Sequence, residues 1–173
     1  MRQLIAYKMV SLFLRCVSHM MMLLFQLDDD RYGMDVKVVV EVIPRVPLQR
    51  LPRMPDYVAG LLNYRGEVLP VLDMSVMFNE RNSQPYLSTR VIITKIGSAG
   101  QLVGLMAENV AETIKVQEKD FVDTRAMGDV GAFVDAVIID GHRMIQKVDV
   151  NKILTEDVQR FIAYAGDMSE LAE

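Results

Sequence analysis

Residues 57–74 read Tyr57-Val58-Ala59-Gly60-Leu61-Leu62-Asn63-Tyr64-Arg65-Gly66-Glu67-Val68-Leu69-Pro70-Val71-Leu72-Asp73-Met74. Two short runs, Leu61–Tyr64 and Val68–Asp73, flank the pair Arg65-Gly66, a pattern that predicts two antiparallel strands around a tight turn. Gly66 supplies the positive φ such a turn needs, which other residues adopt at a cost of roughly 1–2 kcal/mol. Pro70 lacks an amide donor, so it is expected at an edge or bulge of the second strand.

Upstream, residues 44–70 hold five of the six prolines: Pro44, Pro47, Pro52, Pro55 and Pro70. The stretch before the hairpin therefore reads as a long, stiff connection. It carries Arg45, Arg50 and Arg53, either as a basic patch for an acidic partner or as solubilising loop charges. The Pro-x-x-P spacings are explained by stiffening alone. Before it, Val36, Val38, Val40 and Val42 alternate with Lys37, Val39, Glu41 and Ile43, which predicts a strand with one wholly apolar face. Met22–Leu27 is another short strand, and Asp28-Asp29-Asp30 reads as a solvated hairpin tip, since adjacent strand residues face opposite ways and do not converge on one ion.

Downstream, Met74–Phe78 suits one helical turn and Asn79–Ser88 a polar link, where a subdomain boundary is expected. Strands follow at Thr89–Ile96, Gln101–Ala107 and Ala111–Val116, with a turn at Gly97–Gly100 and a polar loop over residues 117–131. A final hairpin joins Phe133–Ile139 to Arg143–Val148 through Asp140-Gly141, a strong turn signal. Leu154, Val158, Phe161 and Ile162 recur at helical spacing, so the chain is expected to close with an amphipathic helix and, after Gly166, an acidic tail. The fold class is all-β with a C-terminal helix.

The chain's 173 residues are 51% apolar and 24% charged, with a net charge of −4. That length buries roughly 70% of the unfolded surface, and the apolar fraction excludes disorder. Cys16 is the sole cysteine, so an intramolecular disulfide is impossible and a reducing cytoplasm fits best. No apolar run approaches the roughly 18–20 residues of a membrane span. The acidic balance argues against general phosphate-backbone binding. His19 and His142 lie far apart and Cys16 pairs with neither in a ligand spacing, so no metal is expected. His142 reads as a surface turn residue, and Asp120 and Asp123 form no evident acid–base site. No nucleophile elbow, phosphate loop or dinucleotide fingerprint is present, so no catalytic residue and no cofactor is expected. Residues 1–21 carry Arg2, Lys8 and Arg15 without an acid, with Ile5, Met9, Leu12 and Cys16 at helical spacing. They read either as a weak amphipathic segment or as an extension ahead of the native start.

The hairpin string resembles the G-x-x-N-x-R-G-x-x-x-P-V-x-D core of CheW-like domains. Tyr32-Gly33-Met34-Asp35 and Val39-Val40-Glu41-Val42 resemble that family's "YGID" and "V-x-E-I" segments. Val103-Gly104-Leu105 and Val148-Asp149-Val150-Asn151-Lys152-Ile153-Leu154 resemble its "VG" and "LD-x-x-K-L-L" elements. The resemblance covers about residues 22–160, leaving 1–21 as an extension and 161–173 as the helix end and tail. It implies two intertwined SH3-like five-stranded β-barrel subdomains and a scaffold. The implied partners are the cytoplasmic signalling tips of chemoreceptors and the regulatory domain of a CheA-type histidine kinase, met in cytoplasmic arrays at the inner membrane. By position, Val39, Glu41, Gly60, Asn63 and Arg65 match places associated with receptor or kinase coupling, and Gly66 is the turn residue. Each also has a local explanation: Val39 as core, Gly60 as turn, Asn63 as a backbone acceptor. Tyr64 departs from the family's apolar residue, Ala136 from a common Gly, and Gln146 and Lys147 from apolar residues, which leans toward alternative chemosensory couplers. The alternative function is a β-barrel nucleic-acid binder using Arg45, Arg50, Arg53 and Arg65, with thin aromatic support from Tyr57 and Tyr64.

Overall fold

In the computed structural model, residues 19–50, 52–123, 133–141 and 143–170 are described. Their strands are β1 His19–Leu27, β2 Asp30–Asp35, β3 Val39–Pro44, β4 Val58–Tyr64, β5 Glu67–Asp73, β6 Arg90–Ile96, β7 Gln101–Ala107, β8 Glu112–Gln117, β9 Phe121–Asp123, β10 Val134–Asp140 and β11 Arg143–Val148. One sheet runs β8-β1-β2-β11-β10-β9 and the other β3-β6-β7-β5-β4. The chain thus opens the first sheet, builds all of the second, and returns to finish the first. The boundary expected near residues 79–88 does not exist, because β5 and β6, on either side of it, belong to one sheet. The short β9 adds a sixth strand to the first sheet.

Several strands are apolar without alternation because both of their faces are covered. Leu23, Phe25 and Leu27 of β1 enter a core shared by the two sheets, while Met22 and Leu24 enter the first sheet's own core. On β6, Ile92 and Ile96 face the shared core, and Val91 and Ile93 fill the second sheet's interior. Continuous Val/Ile/Leu runs are what doubly covered strands require. Phe25 stacks on Tyr32 at 5.6 Å, Tyr32 meets Phe78 edge-on at 5.0 Å, and Phe78 meets Phe133 at 5.1 Å, an aromatic line through the shared core. Helix α1, Met74–Asn79, is capped by Asp73, whose carboxylate accepts from the Ser75 and Val76 amides at 2.9 and 3.4 Å. Helix α2, Glu156–Glu170, packs along β5 and seats Val158 and Ile162 in the shared core.

Four local expectations are corrected. Strand β1 begins at His19, ahead of Met22, because Met20 and Met21 pair with Val116 and Lys115 of β8. Residues 36–38 form a 3-10 turn capped by Asp35, so the strand starts only at Val39. On that strand the predicted apolar face is the exposed one: Val40 and Val42 are exposed, and a bulge between Val39 and Glu41 breaks the alternation. Helix α2 also continues through Gly166 to Glu170, where a tail was expected. Pro70 lies on an interior strand, but just before the β5–β7 ladder begins at Val71, so its missing amide leaves no partner unpaired. His142, Gly128, Gly131 and residues 1–18, with Cys16 and the amphipathic pattern, lie outside the described residues.

Candidate functional site

The β4–β5 hairpin closes through a two-residue loop in which Arg65 and Gly66 adopt φ of 57° and 91°. Two successive left-handed residues match the twist of the flanking strands, the geometry of a type I′ turn. The Asn63 side-chain oxygen accepts from the Gly66 amide at 3.0 Å, fixing the loop from within. Arg65, a non-glycine residue in this conformation, carries its guanidinium back over the Tyr64 ring at 5.0 Å and onto Glu41 at 2.6 Å. The Tyr64 hydroxyl donates to the same Glu41 oxygen at 2.5 Å. That hydrogen bond holds the phenol's pKa above its usual value, with burial adding to the effect.

Of the residues singled out in the sequence, Glu41, Asn63 and Arg65 are therefore brought together. Val39 is not part of the cluster: a bulge at Val40 separates it from Glu41, and its half-buried side chain packs on the shared core. Gly60 acts through its backbone. A Cβ there would lie 2.7 Å from Leu48 Cβ and 3.0 Å from the Gln49 carbonyl oxygen, so its absence lets the proline-rich strap lie against β4. Tyr64, read from the sequence as a departure and as a stacking ring for the nucleic-acid alternative but not as an interface candidate, joins Glu41 and Arg65. A phenol beside the turn arginine was the available signal.

A second polar cluster was not foreseen. Arg81, in the expected polar link, makes two hydrogen bonds to Glu108 at 2.7 and 3.0 Å and one to Asp28 at 2.7 Å. Glu108, with a side chain 2% exposed, also accepts from the Gln84 amide at 2.7 Å and the Ser75 hydroxyl at 3.3 Å. Burial pushes the Glu108 carboxyl upward, but the Arg81, Gln84 and Ser75 donors outweigh it and leave the pKa lowered. Asp28 is lowered as well, chiefly by Arg81. The guanidinium thus ties the β1–β2 turn of one sheet to the end of β7 in the other. Among the described residues no group of three or more His, Cys, Asp or Glu could hold a metal ion, and no helix is long and apolar enough to cross a membrane.

The sequence model of the CheW-like domain matches residues 21–158. The chain belongs to the CheW-like family. Among its CheW-like relatives is a chemotaxis protein CheW of Rhizobium meliloti, 25% identical over 135 residues, spanning 77% of this chain and 86% of the relative. Protein FrzA of Myxococcus xanthus is 29% identical over 142 residues, 80% of this chain and 88% of FrzA. The crystal structure of the scaffolding protein TtCheW from Thermoanaerobacter tengcongensis superposes with a TM-score of 0.72 at 25% identity, covering 84% of this chain and 94% of that one. The two-sheet architecture is thus the CheW one; within the matched span the β4–β5 hairpin supplies Tyr64 and Arg65 to the cluster, and β3 supplies Glu41.

Proposed function

We propose that this CheW-like chain is a non-enzymatic adaptor that couples the cytoplasmic tips of chemoreceptors to the regulatory domain of a CheA-type histidine kinase, within receptor arrays at the inner membrane. Of the relatives named above, one is a chemotaxis protein CheW and one a structurally characterised CheW scaffolding protein, and both support a coupling role. The observation that carries the site is the exposed but pre-ordered Arg65. Its side chain is 72% exposed, yet Glu41 and the Tyr64 ring already hold its orientation. A docking partner then loses little rotamer entropy on engaging it, and Arg and Tyr are the residue types that dominate interface energetics. Val40 and Val42, exposed on the same edge strand as Glu41, add apolar area beside the pair. The nucleic-acid alternative gains no support from these relatives, and Arg65 is committed to Glu41 rather than joined to Arg45 and Arg50.

The test is a reconstituted mixture of receptor signalling fragment, kinase and this chain, read by kinase autophosphorylation beside thermal melting. Arg65→Glu is expected to melt within about 1 kcal/mol of wild type, because an exposed ion pair contributes little. It is expected to lose receptor-dependent activation, a deficit of about 2–3 kcal/mol weakening a complex tens- to a hundredfold. Full activation by a normally melting Arg65→Glu protein would remove Arg65 from the interface.

A further inference from the structure

The absence of a Gly60 side chain shapes more than the hairpin. It lets the strap lie close enough for Gln49 and Leu61 to exchange backbone hydrogen bonds of 2.8 and 2.9 Å. The strap therefore becomes one wall of a groove of about 780 Å³, with the segment Pro85–Arg90 as the other wall. None of Glu41, Tyr64 or Arg65 lines it.

Three guanidiniums rim this groove on a chain whose net charge is −4. Among the described residues none of them forms an ion pair. Arg50 reaches only the Ala59 carbonyl at 3.5 Å, and Arg90 only the carbonyls of Leu87 and Thr89. Arg45 is exposed, and Arg53 extends the positive charge into the adjoining pocket that Arg50 shares. Two carboxylates line the groove. Asp73 is consumed by Ser75, Val76 and Ser83, which leaves Asp56 to oppose the arginines. The walls are apolar and open: Leu87 is 95% exposed, Tyr86 is 52% exposed, and Val46 and Leu48 face them from the strap.

We propose that this groove docks an extended acidic peptide segment with interspersed aliphatic side chains, contributed by a partner protein. Planar guanidiniums pair with carboxylates through two-pronged hydrogen bonds, and the aliphatic walls suit the alternate side chains of an extended chain. A long polyanion such as RNA is a poorer match, because the protein's net negative charge repels it and the walls offer a single aromatic ring, Tyr86. The site is independent of the coupling cluster and goes beyond the function proposed above.

The probe is a fluorescein-labelled Asp-Leu-Glu-Ile-Asp-Leu-Glu-Val peptide, titrated with the full chain by fluorescence anisotropy. Binding is expected to weaken tenfold or more in Arg45→Glu, in Leu87→Ser, and when NaCl rises from about 50 to about 300 mM. Both residues are exposed, so circular-dichroism melting of each variant should match wild type. The same peptide with Asn and Gln in place of its acids is expected to bind at least tenfold more weakly. Absence of peptide binding, equal binding by the amide peptide, or full binding by Arg45→Glu would overturn the proposal. So would two other results lost in Arg45→Glu: tighter binding of an oligouridine probe, or self-association by light scattering that excludes the peptide.

Discussion

Glu41 and Arg65 meet at 2.6 Å although one lies on β3 and the other on the turn that ends β4, the two outer strands of a five-stranded sheet. Coiling of the sheet brings its edges together, and the ion pair spans the seam where no backbone ladder runs. Exposed pairs of this kind contribute about 0.2–1 kcal/mol. The seam's shape is the more consequential product, since it places a cation, a phenol and two exposed valines on one edge.

The Tyr64 bond can be read directly by titration. Its phenol is held above the ordinary value of about 10, so the proton stays on through neutral pH and the bond contributes fully below that value. The contribution fades as pH rises through the raised folded-state value. Phenolate absorbance, taken as wild type minus Tyr64→Phe, should show one tyrosine titrating late. Glu41→Gln should bring that titration back toward the ordinary range. A Tyr64 that titrates identically in both backgrounds would mean the bond is not populated in solution.

The two glycines of the hairpin should respond differently to alanine. At Gly60 the added carbon meets Leu48 and the Gln49 backbone, so Gly60→Ala should destabilise by about 1–3 kcal/mol through overpacking. At Gly66 nothing lies within 4 Å of the new carbon, leaving only the positive φ to charge for. Gly66→Ala should cost about 1–2 kcal/mol, and Gly66→Asn less, because Asn tolerates this conformation. Denaturant titration of the three variants checks the order.

Arg81→Met removes the tie between the sheets and strands a buried carboxylate. The expected loss is about 2–4 kcal/mol, below the full value for a buried pair because Arg81 is partly exposed. In the wild type, Glu108 and Asp28 have lowered pKa values, so their stabilisation is present above the ordinary carboxylate range of about 4 and is lost as pH falls through the lowered values. With Arg81 gone, burial dominates at Glu108 and raises its pKa. The variant's melting temperature should therefore start to fall at a higher pH than wild type. Parallel acid limbs would show that Arg81 does not govern Glu108.

A truncation series tests the pairing of β1 with β8. Because Met20 and Met21 pair with β8, removing residues 1–21 shortens that ladder, whereas removing 1–18 leaves it whole. The longer deletion should melt lower than the shorter one by calorimetry. Equal melting would mean that the β1 register begins at Met22.

What the sequence made legible was what short-range chemistry dictates. The Arg65-Gly66 turn, the Gly97–Gly100 turn, the helical turn that starts at Met74 and the amphipathic period of α2 each follow from neighbouring residues. Of the interface candidates, Glu41, Asn63 and Arg65 converge, while Val39 and Gly60 serve packing and backbone approach. Two things were not legible. The alternation of Val36–Ile43 gives a period but not which face is inward, and a 3-10 turn at 36–38 and a bulge after Val39 break that period. Arg81 stands 53 residues from Asp28 and 27 from Glu108, so only the tertiary fold makes it a hub rather than part of a polar link.

The interleaved order of the strands also sets a timetable for biosynthesis. Strand β2 must wait for β11, which it pairs in parallel from Arg31 opposite Ile145, until nearly the whole chain has been made. At ribosomal speed that delay is on the order of ten seconds. During it, the second sheet, complete by Ala107, can shelter Leu23 and Phe25, while Met22 and Leu24 remain uncovered. A nascent chain stalled before β11 therefore presents a sticky half-barrel. Premature termination there yields a substrate for chaperones and proteases rather than a shortened adaptor.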